Sequence, residues 1–261
     1  MALLVRTWNV FHGMTKPPER RGDLAEMVRL VTEDQPDVVC LQELPVWALS
    51  RLESWSGMKA HSAVARRPRV GSAEVARLNT QLNLAFFRSA FTGQANAILL
   101  QPGLRPLDTG SILLNPRGFR RRVAQELGLP PIVRRRWARE RRVCQAVRTE
   151  GLTVANLHGS AAHDWRVADA ELMRAAVFAD SFAEPDDVLV LAGDFNVIRE
   201  HSKTLEELSG ADWAFTKPIA WLDQILVRGA PSTPAKPWPE ERRRLQGKLL
   251  SDHAPVEVRI G

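Results

Sequence analysis

Five stretches of this chain break off from apolar runs into acids, amides or histidines. They are Thr7-Trp8-Asn9-Val10, Leu41-Gln42-Glu43, Ala155-Asn156-Leu157-His158, Leu191-Ala192-Gly193-Asp194-Phe195-Asn196 and Leu250-Ser251-Asp252-His253-Ala254-Pro255. Carboxylate and amide oxygens suit Mg²⁺ or Mn²⁺, and no Cys or His pair stands at zinc spacing. Asp194 and Asn196 are two residues apart, so in extended chain they share one face while Phe195 packs on the other. Asp252-His253 sets a carboxylate beside an imidazole, so that one can touch a metal and the other a substrate phosphate. Hydrolysis of a phosphodiester needs an in-line water, a base to orient or deprotonate it, and positive charge on the phosphoryl oxygens. These residue types supply each part.

Taken singly, each group has an everyday alternative. Asn9 could cap a turn, Glu43 could open the helix that follows at Pro45, and His158 could be a satisfied core histidine. The Asp194-Asn196 and Asp252-His253 pairs are harder to explain as turn chemistry, because each interrupts strongly apolar sequence at a cost unless partnered. Their joint occurrence in order carries the reading.

The intervening sequence says what holds these ends side by side. Leu3 to Trp8 is a short β-rich run, Arg21 to Val31 carries Leu24, Met27, Val28 and Val31 at helical spacing, and Val38 to Leu41 reads as a buried strand. A second strand, helix, strand passage runs from Leu152 to Leu157, through Trp165 to Phe182, to Val188 to Ala192. Such alternation predicts α/β layering, in which strand ends deliver side chains into a crevice. Further strands are predicted at Leu84 to Phe87, Ala95 to Leu100, Val143 to Thr149, Leu222 to Val227 and Val256 to Ile260. No internal repeat and no long low-complexity linker divides the chain, so residues 1–261 read as one catalytic domain with a basic insertion at about 117–142.

With 44% hydrophobic and 25% charged residues, a chain of 261 can bury a large core without disulfides. Cys40 and Cys144 both lie in apolar runs, as small buried hydrophobes do. No signal peptide is expected, and no span reaches about 18 apolar residues, which points to a cytoplasmic protein, and a monomer is expected. The net charge is +6, and much of the excess falls between Arg117 and Arg148, in Arg120-Arg121-Arg122, Arg134-Arg135-Arg136, Arg139, Arg141 and Arg142. Such a cluster either neutralises the phosphates of a polyanion such as nucleic acid or forms a solvated helical face.

The ordered motifs Thr7-Trp8-Asn9, Leu41-Gln42-Glu43, Asn96-Ala97-Ile98-Leu99, Asn156-Leu157-His158, Gly193-Asp194-Phe195-Asn196, Leu222-Asp223-Gln224-Ile225-Leu226 and Ser251-Asp252-His253-Ala254-Pro255 resemble those of the endonuclease/exonuclease/phosphatase superfamily, the DNase I-like proteins. The resemblance implies a four-layer α/β/β/α sandwich of two packed mixed β-sheets flanked by helices. It also implies a Mg²⁺ (or Mn²⁺) cofactor held mainly by Glu43, with Asn9 and Asp252 nearby. In the same way Asp194 would orient or deprotonate the water and Asn196 would hold a phosphate oxygen. His253, paired with Asp223, would bind the scissile phosphate, and His158 would be a second histidine facing phosphate or leaving group. Arg142 is matched as a substrate-binding residue, with membership of the basic face as its alternative; Asn96 is the other substrate-binding candidate. His12 and His163 match nothing and read as polar rim residues. The stretch Leu157-His158-Gly159-Ser160 is similar to that of the nuclease-like branch, and no tyrosine is present to contact phosphate.

Three functions follow. The first is a metal-dependent nuclease hydrolysing DNA or RNA phosphodiester bonds. The second is a phosphatase or a phospholipid or small-molecule phosphodiesterase, in which the arginines would face anionic headgroups. For a membrane-facing aromatic loop the candidates are Trp47, Trp55, Trp213 and Trp221, which otherwise pack in the core. The third is a catalytically silent nucleic-acid-binding protein, against which stands the presence of Glu43, Asp194, Asn196, Asp223, Asp252 and His253.

Overall fold

The computed structural model describes residues 2–16, 23–68, 71–81, 92–161 and 164–261. Its strands are β1 (Leu3–Asn9), β2 (Thr15–Lys16), β3 (Val38–Leu44), β4 (Lys59–Arg66), β5 (Gln94–Leu100), β6 (Asp108–Leu113), β7 (Val143–Thr149), β8 (Leu152–His158), β9 (Val188–Asp194), β10 (Asp223–Arg228), β11 (Lys236–Pro237), β12 (Arg244–Leu245), β13 (Lys248–Leu250) and β14 (Val256–Ile260). The helices are α1 (Leu24–Thr32), α2 (Leu52–Ser56), α3 (Ala73–Gln81), α4 (Arg117–Glu126), α5 (Pro131–Arg139), α6 (Trp165–Phe182) and α7 (Lys203–Leu208). The candidate strand at Leu84 to Phe87 lies outside the described residues, as does His163.

One sheet runs β11-β14-β1-β3-β5-β4 and the other β10-β9-β8-β7-β6, with β12-β13-β2 forming a small third. Each large sheet holds one parallel pair, β1 with β3 and β8 with β9. A parallel pair needs a crossover, and α1 and α6 are those crossovers. Both sheets are therefore mixed.

The apolar residues sort the layers. Val5, Cys40 and Ile98 from the first sheet meet Val154, Val190 and Ile225 from the second in an inner core. On the outer face of the first sheet, Met27, Val28 and Val31 of α1 cover Trp8, Val39 and Leu41. On the outer face of the second, Ala168, Leu172, Ala175 and Ala176 of α6 cover Ala155, Leu157, Leu189 and Leu191. Strands buried on both faces read as continuous apolar runs, which is why β3 and β9 show no alternation in sequence. The outcome is the four-layer sandwich that the motifs imply.

The basic segment folds as α4 and α5. Val123, Ala124, Leu129, Val133 and Trp137 form their own small core, closed by Val167 of α6. The arginines are thus carried on a packed helical pair. Of the four tryptophans considered for an exposed loop, three pack: Trp47 donates to Thr80 Oγ1 at 3.0 Å and meets Trp55 edge-on, and Trp213 stacks on Phe215. Trp221 is 50% exposed. Among the described residues no helix is long and apolar enough to cross a membrane.

Candidate active site

Side chains alternate along a strand, so a residue's parity with the inner core decides whether it faces the other sheet. Asn9 shares parity with Val5, Asp194 with Val190 and Ala192, His158 with Val154, Asp223 with Ile225, and Gln94 with Ile98. Each stands at the last or first position of its strand, all at one edge where the two inner faces open to solvent. Register confirms the gathering, since Asp194 lies opposite both His158 and Asp223.

Glu43 has the wrong parity. Cys40 and Gln42 face inward, so regular alternation would turn Glu43 out toward the helices. The register of β3 against β5 shifts between Leu41 and Leu44, and Glu43 takes a φ of +57°. A bulge of this kind re-aims one side chain without disturbing those before it. The result places Glu43 Oε1 3.7 Å from His158 Nε2. Phe11, His12, Asn196 and Ser251 likewise have positive φ near the site, which a non-glycine residue adopts only when its surroundings hold it there.

Two glycines allow the close approach of β8 and β9. A Cβ on Gly193, at φ +140°, would lie 1.9 Å from Leu157 O, and one on Gly159 would lie 2.4 Å from Phe195 O. With no side chain at either position, His158 and Asp194 come within 3.5 Å.

Asn9 Nδ2 donates to Asp194 Oδ2 at 2.9 Å, and Asn9 Oδ1 accepts from the Phe11 amide. His253 Nδ1 is 2.7 Å from Asp223 Oδ2, while its Nε2 lies 3.9 Å from Asp194 Oδ2 and 4.0 Å from Asp252 Oδ1. Burial lowers the His253 imidazole, but the bond to Asp223 and the charges of Asp194 and Asp252 outweigh it and push it up to about 10. Burial raises the carboxyls of Glu43 and Asp223 above their ordinary range.

These acids sit together at a cost that a cation relieves. Asp194, Asp223 and His253 offer ligand atoms within 4.8 Å of one another. Asp223 Oδ1 and Asp252 Oδ1 are buried and accept no hydrogen bond among the described residues. Oxygen-rich donors with unfilled lone pairs fit a hard divalent cation.

His158 is held differently. Both Gln94 Nε2 and Arg142 Nη1 lie 3.1 Å from its Nδ1. An amide nitrogen and a guanidinium only donate, so Nδ1 must accept, and the ring proton is on Nε2. Burial, then the charge of Arg142, holds the imidazole well below its ordinary value. His158 is therefore neutral and presents Nε2–H to the carboxylates of Glu43 and Asp194.

The loop before β14 is fixed from behind. Arg243 is buried, and its Nη1 donates to the carbonyls of Leu250, Ser251 and His253 at 3.2, 3.1 and 3.0 Å. Trp8 Nε1 also donates to His253 O, and Ser251 Oγ donates to Asn9 O.

Asn9, Glu43, Arg142, His158, Asp194, Asp223, Asp252 and His253 are thus brought to one edge. Asn196 is there too, but past the end of β9 and at φ +52°, so the extended alternation read from the sequence ends at Asp194. Its Nδ2 donates to Gly159 O at 2.9 Å. Asn96 is not brought to the edge. It has the inward parity of Gln94 but lies one step deeper, buried, with its amide given to Val143 O at 3.1 Å. Asn156 is structural as well, bridging the sheets through Leu41 O and Ala97 O. His12, read as a polar rim residue, is partly buried at this edge with its Nε2 3.7 Å from Glu43 Oε2. Parity with Asn96 puts Gln94 on the inward face but does not single it out, and Arg243 lies in a connection whose sequence marks no one arginine.

The fold and this edge define a class, and the family model described as Endonuclease/Exonuclease/phosphatase family matches residues 7–253. The chain belongs to that family, whose members are metal-dependent phosphoesterases and nucleases. Among curated proteins, none matches the sequence significantly. Among solved structures it is similar to a functionally unknown conserved protein from Enterococcus faecalis V583, at 17% identity and TM-score 0.66 with 99% of each chain covered. It is also similar to an endonuclease/exonuclease/phosphatase family protein from Bacteroides thetaiotaomicron, at 13% identity and TM-score 0.63, covering 100% of this chain and 97% of that one. A third is D. rerio TDP2 complexed with single strand DNA product, at 15% identity and TM-score 0.62, covering 100% of this chain and 99% of that one.

Proposed function

We propose that this protein is a divalent-metal-dependent nuclease that hydrolyses DNA or RNA phosphodiester bonds. The observation that carries the proposal is the meeting of carboxylates bearing unfilled oxygens with two histidines pinned through Nδ1, His253 by a carboxylate and His158 by two donors, at one edge of the sandwich. A catalytically silent fold would have no reason to keep these buried acids together.

Glu43 would hold the cation with Asn9 and Asp252, and the cation when bound would polarise phosphoryl oxygens. Asp194, fixed by the Asn9 amide and the Asn196 N–H, orients or deprotonates the attacking water. Asp223 pins Nδ1 of His253, so Nε2 points its proton at the phosphate. The Nε2–H of His158 is a second donor, and Asn196 sits beside it through Gly159. The arginines of α4 and α5 supply positive charge along the strand's backbone, giving affinity that falls with salt and little sequence preference. Trp221, exposed two residues before Asp223, offers a stacking surface for an unpaired base. Single strand DNA in the TDP2 structure is consistent with that mode of binding.

Incubation with plasmid and single-stranded substrates in Mg²⁺ or Mn²⁺ tests this. Cleavage is expected, with Glu43→Ala and His253→Ala each losing about 10²-fold or more, the usual effect of removing a positioned acid–base group. No cleavage above those variants would sink the proposal, and phosphate release from an anionic lipid instead would favour the second substrate class. Isothermal titration with Mg²⁺ locates the ion: loss of binding in Glu43→Ala but not in Asp223→Ala supports the Glu43 site, and the reverse moves the cation to the Asp194, Asp223 and His253 group.

A further inference from the structure

Beside the reaction centre is a cavity of about 340 Å³ lined by Arg66, Gln94, Arg136, Arg139, Arg141 and Arg142. Its one acid, Glu140, is committed, accepting from Arg142 Nη2 at 3.1 Å and from the Ala161 amide at 3.0 Å. Arg136, Arg139 and Arg141 are exposed and make no ion pair among the described residues. Arg142 Nε is buried with no hydrogen-bond partner among the described residues. A solvated helical face accounts for Arg134 and Arg135. It does not account for Arg66 at the end of β4 and Gln94 at the start of β5, which come from the other sheet to close the cavity against α5. Convergence of guanidinium groups from two distant parts of the chain, with no free carboxylate among the described residues that line the cavity, is what an oxyanion recruits.

The cavity and the reaction centre share a wall. Gln94 and Arg142 line the one and bind His158 Nδ1, while His158 Nε2 faces Asp194 and Glu43 in the other. The two lie next to each other, as consecutive phosphates of one strand do. We propose that this cavity is a second phosphate subsite, which seats the phosphate neighbouring the scissile one, so that the preferred substrate is a strand carrying at least two consecutive phosphates. The proposal rests on the nuclease reading of the reaction centre and adds the part of the substrate that is recognised but not cleaved.

The test compares kcat/KM for a dinucleoside monophosphate with that for the same dinucleotide bearing an added terminal phosphate, at the 5′ or the 3′ end. The added phosphate at one of the two ends is expected to raise kcat/KM about tenfold or more, as charge-assisted bonds to two arginines would. In Arg139→Ala/Arg141→Ala, whose two positions are exposed and need no refolding of the core, the ratio should fall toward one. Equal rates for the substrates in the wild type, or an unchanged ratio in the double variant, would overturn the subsite and leave the nuclease reading standing. Inorganic phosphate added to the single-phosphate reaction separates the two sources of anion: if it changes that rate as much as the attached phosphate does, the cavity takes a free anion and the strand subsite falls. Should none of these dinucleotides turn over above Glu43→Ala, cleavage of the plasmid and single-stranded substrates decides the nuclease reading. The subsite is then decided by anisotropy of a labelled oligonucleotide in EDTA, where a loss of about tenfold in affinity in the double variant supports it and no loss overturns it.

Discussion

The carboxylates and histidines of the site are legible in sequence because their types are costly in apolar runs; their directions are not. Glu43 is the clearest case, since alternation alone sends it to the outer face and only the bulge returns it. The choice between Gln94 and Asn96 turns on one step of depth along β5, which no local pattern records. His158 shows what such placement does to chemistry, because two obligate donors on Nδ1 fix its tautomer before any substrate arrives. Nitrogen-15 NMR checks this directly, with the His158 signal identified by its loss in His158→Gln. Nδ1 is expected unprotonated and Nε2 protonated, with the ring titrating well below the ordinary value of a histidine. Arg142→Leu removes a neighbouring cation and one Nδ1 donor, so its His158 pKa should rise toward the ordinary value. An Nδ1–H ring in the wild type, or an unmoved pKa in Arg142→Leu, would rule out the tautomer argument.

At the scale of elements, the predictions made from periodicity largely hold. Val143 to Thr149 is β7, Trp165 to Phe182 is α6, and the helix expected from Arg21 to Val31 is α1 over Leu24–Thr32. These elements carry enough apolar positions to set a period. The connection from Gly229 to Lys248 does not, and the two-residue strands β11 and β12 within it left no pattern to read. What sequence also conceals is how closely two elements approach. The β8 and β9 ends can lie side by side only because Gly193 has no Cβ to meet the Leu157 carbonyl. In Gly193→Ala both the close contact and the positive φ work against folding, so a loss of about 3 kcal/mol is expected, at the upper end for one substitution. Urea unfolding would measure it. A stability within about 0.5 kcal/mol of wild type, the range of a neutral surface change, would show that the strands can part without cost.

Across the whole molecule, the basic helices, the α6 layer and the site edge are joined at one buried carboxyl that nothing in the sequence of α6 distinguishes. Glu171 accepts from Trp137 Nε1 of α5 at 2.6 Å, and from the Ser160 amide and hydroxyl at 2.7 and 2.8 Å, just beyond His158. Burial raises this carboxyl from 4.5 to about 7, although all three donors oppose the rise. A raised acid keeps its proton longer in the folded state than in the unfolded chain. Between 4.5 and about 7 the folded form therefore holds more protons, and stability falls as pH rises through that window, levelling above it. Glu171→Gln removes this dependence. It also introduces a fault, because the amide NH₂ must face either the Trp137 indole or the Ser160 N–H, whichever way it is turned, at about 1–3 kcal/mol for an unsatisfied buried donor. Melting curves across that pH range should show a wild type whose advantage over Glu171→Gln is largest in acid and shrinks toward neutrality. Parallel pH profiles for the two proteins would mean that Glu171 is ionised throughout, with its three donors outweighing burial.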